Sequence, residues 1–359
     1  MKVFILVGTR PNFIKVTQFK KIAADHYPHL DIRIIHTGQH YDKNMAGVFF
    51  EQFNLQPDHF LNIGQGTPNS QIAKIQLKLE ELFEEIGKPD LFIVPGDVNS
   101  TLAGSICANK MGIPLAHLEA GLRSYDRNMP EEYNRLVTDE LSDILFVTEP
   151  SGQENLEKEG KKGEIRYVGN TMIDTLVAFE QEIQASDILD QFKLEEGKFV
   201  VVTVHRPSNV DHQEKLQNLI HVLKEISKTH QIVLPVHPRT KKNLEKFGLS
   251  DEFNQIGLIN PGPLGYFEFQ KLIAKCTFVL TDSGGIQEET TFRQVPCLTV
   301  RNNTERPITT QIGTNTLKKL EYAEIMEDVQ KILDGTYKKG EIPKYWDGQS
   351  TKRILESIV

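Results

Sequence analysis

The run from Thr281 to Pro296, TDSGGIQEETTFRQVP, has the residue types of a phosphate-binding turn. It follows the apolar strand pattern of 278–280, and a predicted helix then opens with Ser283, Gly284 and Gly285. The first amide groups of a helix have no partner inside the helix, so an anion can accept their hydrogen bonds. Glycine leaves no Cβ in the way of a pyrophosphate, and further along the Glu289 carboxylate can accept hydrogen bonds from a ribose diol. The run therefore predicts a nucleotide-diphosphate site, with an ordinary helix start beside solvated acids as the alternative.

Polar and charged side chains also follow the other predicted strands. They are Arg10 and Lys15, Gln39 and His40, Asp97, Glu119, His205 and His237, together with Glu131 and Arg135 on a helix that Pro130 opens. In open parallel sheets, ligands bind outside the carboxyl ends of the strands. Carboxylates and cations that meet there can move protons and stabilise negative charge.

Each of these residues also has a structural interpretation that needs no ligand. Glu131 and Arg135 can form a helical ion pair, Asp97 can cap the helix that begins near Asn99, and His40 can be a solvated loop residue. A metal site from His36 and His40 is disfavoured, because their spacing crosses a strand end and no acidic residue is nearby. Three carboxylates and two cations at equivalent ends of one sheet nevertheless favour chemistry, because burying so much charge is a poor way to stabilise a fold.

The elements that position these residues alternate in type along the chain. Short apolar runs predict strands at Val3 to Val7, Ile32 to His36, Leu91 to Val94, Leu115 to Leu118, Ile144 to Val147, Val200 to Val204, Ile232 to Pro235, Phe278 to Leu280 and Cys297 to Val300. Longer amphipathic segments separate them, which predicts an α/β fold of parallel sheets wrapped by helices. We expect two Rossmann-like doubly wound domains, 1–169 and 170–345, and a closing helix within 346–359 that returns to the first domain.

Composition limits the kind of partner. The 359 residues are 39% hydrophobic and 25% charged with a formal charge of −8, and the isoelectric point is about 5.8. This charge argues against general binding to nucleic acid or a membrane surface and favours a small substrate. Three cysteines far apart in sequence indicate reduced thiols. With no basic leader and no apolar run long enough to span a membrane, we expect a cytoplasmic enzyme.

A series of motifs along almost the whole chain resembles one enzyme family. They are GTRPNFIK (8–15), TGQHYDKNM (37–45), GDVNST (96–101), HLEAGLRS (117–124), PEEYNR (130–135), VGNTMIDTL (168–176), VTVHRPSN (202–209), PVHPRT (235–240), TDSGGIQEE (281–289) and TERPIT (304–309). These look like the successive motifs of the non-hydrolysing UDP-N-acetylglucosamine 2-epimerases. The resemblance implies the glycosyltransferase-B fold, two Rossmann-like domains facing a cleft that holds the active site. It also implies a homodimer that needs neither a cofactor nor a metal.

The resemblance further implies an activity and a role for each candidate residue. Similar enzymes interconvert UDP-N-acetylglucosamine and UDP-N-acetylmannosamine by expelling UDP, forming 2-acetamidoglucal and adding UDP back, and they supply precursors of surface polysaccharides. Asp97, Glu119 and Glu131 match the family's catalytic acids. Positive charge around the diphosphate is then expected from Arg10, Lys15, His205 and the 283–285 helix start. Gln39, His40, Arg135, His237, Glu289 and Arg306 are the remaining substrate-binding candidates.

Two short segments depart from the usual family pattern. Asn12-Phe13 stands where Glu-Ala is usual after GTRP, and Pro207-Ser208-Asn209 stands where Arg-Glu-Asn is usual after the His-Arg pair. These changes bear on activation by a second UDP-sugar and on sugar selectivity, so a 2-epimerase of a C3-modified or uronic-acid UDP-sugar is an alternative. A UDP-sugar glycosyltransferase of the same fold, a hydrolysing epimerase and a non-catalytic sensor are further alternatives. An NAD-dependent epimerase is disfavoured, because no GxGxxG follows the first strand.

Overall fold

The structure is a computed structural model that describes residues 1–38 and 50–359. The chain forms two compact units. Unit 1 comprises Met1–Ala178 and Lys344–Val359, and unit 2 comprises Phe179–Pro343. The division falls after Ala178 and not at the predicted 169/170. The reason is that the helix Thr171–Ala178 forms hydrogen bonds with the carboxyl-terminal segment of unit 1. The carboxylate of Asp174 on this helix accepts the amides of Ser350 and Thr351 at 3.0 and 2.5 Å.

Unit 1 is built on a seven-stranded sheet in the order β3-β2-β1-β4-β5-β6-β7. All its strand pairs are parallel. The strands are β1 (Lys2–Val7), β2 (Asp31–His36), β3 (His59–Phe60), β4 (Leu91–Pro95), β5 (Leu115–Leu118), β6 (Ile144–Val147) and β7 (Glu164–Tyr167). The chain proceeds from β1 to β2 on one side and reaches β4 on the other. The carboxyl ends of β1 and β4 therefore form the switch point at which such sheets bind ligands.

The helices of unit 1 bury one face each, which is mostly apolar except in Pro130–Leu141, where the buried residues are polar or charged. They are Arg10–Ile14, Phe19–His26, Pro68–Ile86, Asn99–Met111, Pro130–Leu141, Pro150–Lys158, Thr171–Ala178 and Ser350–Ile358. The longest begins where Thr67 accepts the amide of Ser70 at 3.3 Å and Pro68 takes the first helical position. Its buried residues Ile75, Leu79 and Phe83 repeat at helical spacing. Phe83 packs edge-on against Phe92 of β4, with ring centroids 5.4 Å apart.

Unit 2 holds a five-stranded sheet in the order β12-β11-β10-β8-β9, again with parallel pairs. Its strands are β8 (Phe199–Thr203), β9 (Gln231–Val233), β10 (Val279–Thr281), β11 (Cys297–Val300) and β12 (Asn315–Lys318). The switch point lies between β8 and β10, because the chain moves from β8 to β9 on one side and to β10 on the other. Residues after β8 and β10 are thus the ones placed to meet a ligand.

The helices of unit 2 are Glu180–Ala185, Ile188–Gln191, Pro207–Val210, Gln213–Ile226, Pro238–Lys246, Ser250–Asn254, Tyr266–Lys275, Gly284–Arg293, Ile308–Gln311 and Tyr322–Leu333. Val200 and Val202 of β8 form a core with Leu216 and Leu223 of the helix Gln213–Ile226, and all four are fully buried. The predicted α/β class with two parallel sheets is confirmed. No helix in the described part of the chain is long and apolar enough to cross a membrane.

Candidate active site

A buried ion pair lies at the carboxyl end of the unit 1 sheet. Lys15, which follows the helix after β1, donates from Nζ to Oε2 of Glu119, which directly follows β5. Lys15 is 5% exposed and Glu119 is 3% exposed. The turn after β4 lies against this pair, because a Cβ at Gly96 would be 3.1 Å from Lys15 Nζ and 3.6 Å from Glu119 Oε2. The adjacency of β1, β4 and β5 thus brings three sequence-distant turns together.

The backbone of Glu119 is strained. Its φ of 75° is in the left-handed region, which costs a non-glycine residue roughly 1–3 kcal/mol. The amides of Glu119 and Ala120 both donate to the carbonyl of Phe146 in β6, at 3.1 and 3.0 Å, and hold this conformation. Strain of this kind that the surrounding structure enforces is a feature of functional sites.

Asp97, in the turn after β4, lies beside a second buried cation. Arg135 is 1% exposed, and its Nη2 is 3.4 Å from Asp97 Oδ2. Arg135 Nη1 also donates to Glu132 Oε2 at 3.0 Å. The predicted helical pair of Arg135 with Glu131 is therefore replaced by one with Glu132, while Glu131 is partly exposed in the first turn.

The alternative role of Asp97 as a helix cap does not match the structure. The following helix, Asn99–Met111, begins after Val98 without a side-chain cap. Instead, Asn134 Nδ2 donates to the Asp97 carbonyl at 2.8 Å. Two neighbouring residues of the helix Pro130–Leu141, Asn134 and Arg135, thus contact the backbone and the carboxylate of Asp97. Of the remaining candidates in this half, Arg10 is exposed at the start of its helix, and Gln39 and His40 lie outside the described residues.

Asp282 joins the two turns at the switch point of unit 2. It is fully buried, and its Oδ2 accepts from the amides of His205 at 2.9 Å and Arg206 at 2.8 Å and from Asn209 Nδ2 at 3.0 Å. Its other oxygen lies 3.3 Å from His205 Nδ1. Asp282 thereby fixes the backbone of the turn that bears His205, a role that sequence reasoning missed although the residue stood within the TDSGG run.

His237 stacks on His205, with ring centroids 5.4 Å apart and an interplanar angle of 29°. His237 Nδ1 accepts the amide of Arg239 at 3.1 Å and caps the helix Pro238–Lys246. Partial burial, then the charges of His205 and Arg239, lower the pKa of His237. In the neutral ring the proton is therefore on Nε2, since Nδ1 acts as an acceptor.

The helix Gly284–Arg293 begins without a side-chain cap at Ser283, so its first amides are available to a ligand. A Cβ at Gly284 would lie 2.8 Å from Glu305 Oε1 and 2.9 Å from Arg306 Nη1. The Glu305 and Arg306 side chains therefore occupy the space beside Gly284. The sequence had predicted that a pyrophosphate would lie there. Glycine is needed there because a guanidinium group approaches the helix start.

Arg306 belongs to a buried cluster of two cations and two anions. Its Nε is 2.7 Å from Glu288 Oε2 and its Nη1 is 2.7 Å from Glu305 Oε1, while Arg301 Nη2 is 2.8 Å from Glu305 Oε2. Glu288, Glu305 and Arg301 were not predicted as site residues. The sequence does place charged residues next to one another in TERPIT and in the QEE triplet. This spacing does not indicate that the two segments contact each other.

Glu289 is buried on the same helix, with 5% of its surface exposed. Burial raises the pKa of its carboxyl group to about 7, against the opposing effects of Gln270 and Arg293. This group therefore changes charge near neutral pH, whereas an exposed glutamate would already be ionised.

Comparisons of sequence and structure with known proteins point to the same enzyme family. The model of the UDP-N-acetylglucosamine 2-epimerase family matches residues 22–359. The chain is 40% identical to the UDP-N-acetylglucosamine 2-epimerase of Methanocaldococcus jannaschii, covering 100% of this chain and 99% of that protein. It is 37% identical to the UDP-2,3-diacetamido-2,3-dideoxy-D-glucuronate 2-epimerase of Pseudomonas aeruginosa, with the same coverage.

A solved structure of the M. jannaschii UDP-GlcNAc 2-epimerase in complex with UDP-GlcNAc and UDP superimposes with a TM-score of 0.89. It is 38% identical and covers 100% of this chain and 99% of its own. The likeness confirms the predicted fold class, α/β of the glycosyltransferase-B type. By sequence and by fold, the chain belongs to the UDP-N-acetylglucosamine 2-epimerase family.

Proposed function

We propose that this chain interconverts UDP-N-acetylglucosamine and UDP-N-acetylmannosamine by inverting C2 of the sugar. The names of its relatives support this activity. The observation that carries it is the acid cluster of unit 1, where the strained Glu119, paired with Lys15, lies against the turn that bears Asp97. Two carboxylates with buried cations at the switch point of a parallel sheet are suited to proton transfer on a small ligand.

The proposed reaction avoids direct removal of the C2 proton. That carbon is not next to a carbonyl group, so its proton is not acidic. In the proposed route the bond between C1 and the phosphate oxygen breaks, and UDP leaves with the bonding electrons. A carboxylate takes the C2 proton, and 2-acetamidoglucal forms. UDP then adds back to C1 while a proton reaches C2 from the opposite face, which yields the epimer.

Unit 1 supplies the groups for proton transfer in this proposal. Lys15 lies within ion-pair distance of Glu119 and Arg135 within ion-pair distance of Asp97, and a cation at that distance favours the ionised form of a carboxyl group. An ionised carboxylate is the state that a proton acceptor needs. Glu131, on the same helix as Arg135, is the third carboxylate of the set.

Unit 2 supplies the groups for the leaving UDP. The proposed contacts to the diphosphate are His205, the Nε2 proton of His237, the first amides of the helix Gly284–Arg293 and Arg306. Donors that are fixed before reaction stabilise developing charge without having to reorganise, and Asp282 holds the backbone that carries His205 in place. Glu289 is proposed to accept hydrogen bonds from the ribose hydroxyls.

A C3-modified uronic-acid substrate is the second candidate. It is favoured by the identity to the diacetamido-glucuronate 2-epimerase of P. aeruginosa, which at 37% is close to the 40% of the archaeal enzyme. The proposed C2 chemistry is the same for both sugars, so the catalytic groups do not distinguish them. The test must therefore compare substrates.

Proton NMR in deuterium oxide tests both candidates. Each UDP-sugar is incubated with the purified protein, with Asp97→Asn as the matched inactive control. We expect the 2-epimer of one sugar to appear with deuterium at C2 of both epimers. Release of free N-acetylmannosamine and UDP would indicate hydrolysis, and the absence of exchange with either sugar, even with a trace of product added, would contradict the proposal.

A further inference from the structure

His117 lies in β5, two residues before Glu119 of the acid cluster, and is fully buried. Its Nδ1 is 2.6 Å from Oδ1 of Asp139, and its Nε2 is 2.7 Å from the carbonyl oxygen of Gly96. A carboxylate and a carbonyl oxygen can both accept a hydrogen bond, and neither can donate one. Both ring nitrogens must then carry a proton, which makes the ring an imidazolium.

A protonated Asp139 would be the other way to satisfy Nδ1, but the surroundings of this carboxylate oppose it. Its second oxygen is 2.7 Å from Arg123 Nη2 and accepts the amide of Gly121 at 3.2 Å. Burial alone would raise the pKa of Asp139, yet His117 and Arg123 lower it overall. Arg123 in turn pairs with Glu159, which also lies 3.8 Å from Lys161 Nζ.

The contact with Gly96 lies directly before Asp97 in the chain. The amide of Gly96 donates to Leu118 in β5 at 2.8 Å, which continues the ladder between β4 and β5. Its carbonyl, which begins the peptide link to Asp97, is held by His117. With Asn134 on the next carbonyl, the backbone of Asp97 is held on both sides.

We propose that His117 is an imidazolium and a positioning residue, which sets Asp97 by holding the Gly96 carbonyl. Its effect on turnover rests on the proposed epimerase function, whereas its charge state does not. The charge of His117 also places a cation near the turns that bear Asp97 and Glu119, in addition to Lys15 and Arg135.

The charge state is tested by NMR of the native enzyme labelled with ¹⁵N-histidine. The ring resonances of His117 are assigned in the native enzyme by through-bond correlation to the backbone of the same residue, and their loss in His117→Gln is a check on the assignment. We expect both ring nitrogens to give protonated signals at about pH 7, because both neighbouring groups are acceptors. A ring that carries only one protonated nitrogen at this pH would overturn the proposal even if the variants fail to fold.

The positioning role is tested with two amide variants. Glutamine can place an amide nitrogen near the position of Nε2 and reach Gly96, whereas asparagine places one near Nδ1 and reaches only Asp139. We expect His117→Asn to lower kcat by about 10²-fold, the typical cost of a small misplacement in an active site. KM should stay within roughly 2-fold, since ground-state binding is not removed.

His117→Gln should recover most of the lost kcat. His221→Gln, at an exposed position of the helix Gln213–Ile226 in unit 2, is the control and should match the native enzyme. Equal losses in the Asn and Gln variants would refute the role of the Gly96 contact. If the native enzyme turns over neither UDP-sugar, the proposed function fails, and the NMR result still decides the charge state.

Discussion

Replacing Lys15 with methionine should destabilise unit 1 strongly, because the buried carboxylate of Glu119 loses its cation. Methionine has a similar length, so little packing volume is lost. Breaking a buried ion pair by removing one partner costs about 3–5 kcal/mol, and both members of this pair are almost fully buried. With a urea dependence of roughly 2 kcal/mol per molar, the unfolding midpoint should fall by about 2 M.

The single tryptophan of the chain provides the assay. Trp346 is 1% exposed and lies in unit 1, where its Nε1 donates to the carbonyl of Thr148 at 3.0 Å. Its fluorescence during urea unfolding therefore follows unit 1. The loss should be larger at pH 8 than at pH 5, because a buried carboxyl group that lacks its cation can take up a proton at the lower pH.

The double variant Lys15→Met/Glu119→Gln is the matched control. Replacing both members of a buried pair with neutral residues is often close to neutral for stability, so the double variant should recover most of the midpoint. If Lys15→Met alone shifted the midpoint no more than the double variant does, the carboxylate would not depend on Lys15, and the proposed ionised state of Glu119 would lose its basis.

Three further outcomes are expected. Because burial raises the pKa of Glu289 from 4.5 to about 7, its contribution to stability is complete below about pH 4.5 and lost as pH rises through about 7. Glu289→Gln should therefore be more stable than the native protein at pH 8, by roughly 3 kcal/mol, and similar at pH 4.5, as judged by circular dichroism during denaturation. Asp282→Ala leaves the amides of His205 and Arg206 without their acceptor, at about 1–3 kcal/mol each, so hydrogen exchange there should accelerate and an unchanged rate would contradict the role of Asp282. Glu131→Gln should lower turnover by about 10²–10⁴-fold, while calorimetry should show that its affinity for UDP is unchanged.

The central strands of both sheets could be predicted because they are buried on both faces and their sequences are mostly apolar. Leu115–Leu118 and Cys297–Val300 were predicted at the observed bounds. The strands that were missed, β3, β7 and β12, all lie at sheet edges. Their residues are mostly half-buried or exposed, as in EIRY of Glu164–Tyr167, so they lack the apolar signal that identifies a buried strand.

Individual site residues could be predicted from their place after a strand, but their pairings could not. The position of Glu119 after β5 and of Lys15 after β1 follows from the strand pattern. Their contact depends on strand order, since β5 reaches β1 only through β4. Arg135 pairs with Glu132 and not with Glu131, because the direction in which each side chain of a helix points is set by tertiary packing. The role of His117 was missed because a histidine within a predicted apolar strand is interpreted as a core residue.

The return of Lys344–Val359 to unit 1 has a consequence for the order of folding during synthesis. Trp346, Ile354 and Leu355 are buried in unit 1, and a Cβ at Gly169 would meet the carbonyl of Tyr345 at 2.1 Å. The unit that the ribosome begins first therefore lacks part of its core until residues near 355 have emerged. Phe179–Pro343 is contiguous and can fold before then. Domains normally fold in the order of their synthesis. In this chain unit 2 can instead be complete first, while unit 1, with the turns that bear Glu119 and Asp97, still lacks its last segment.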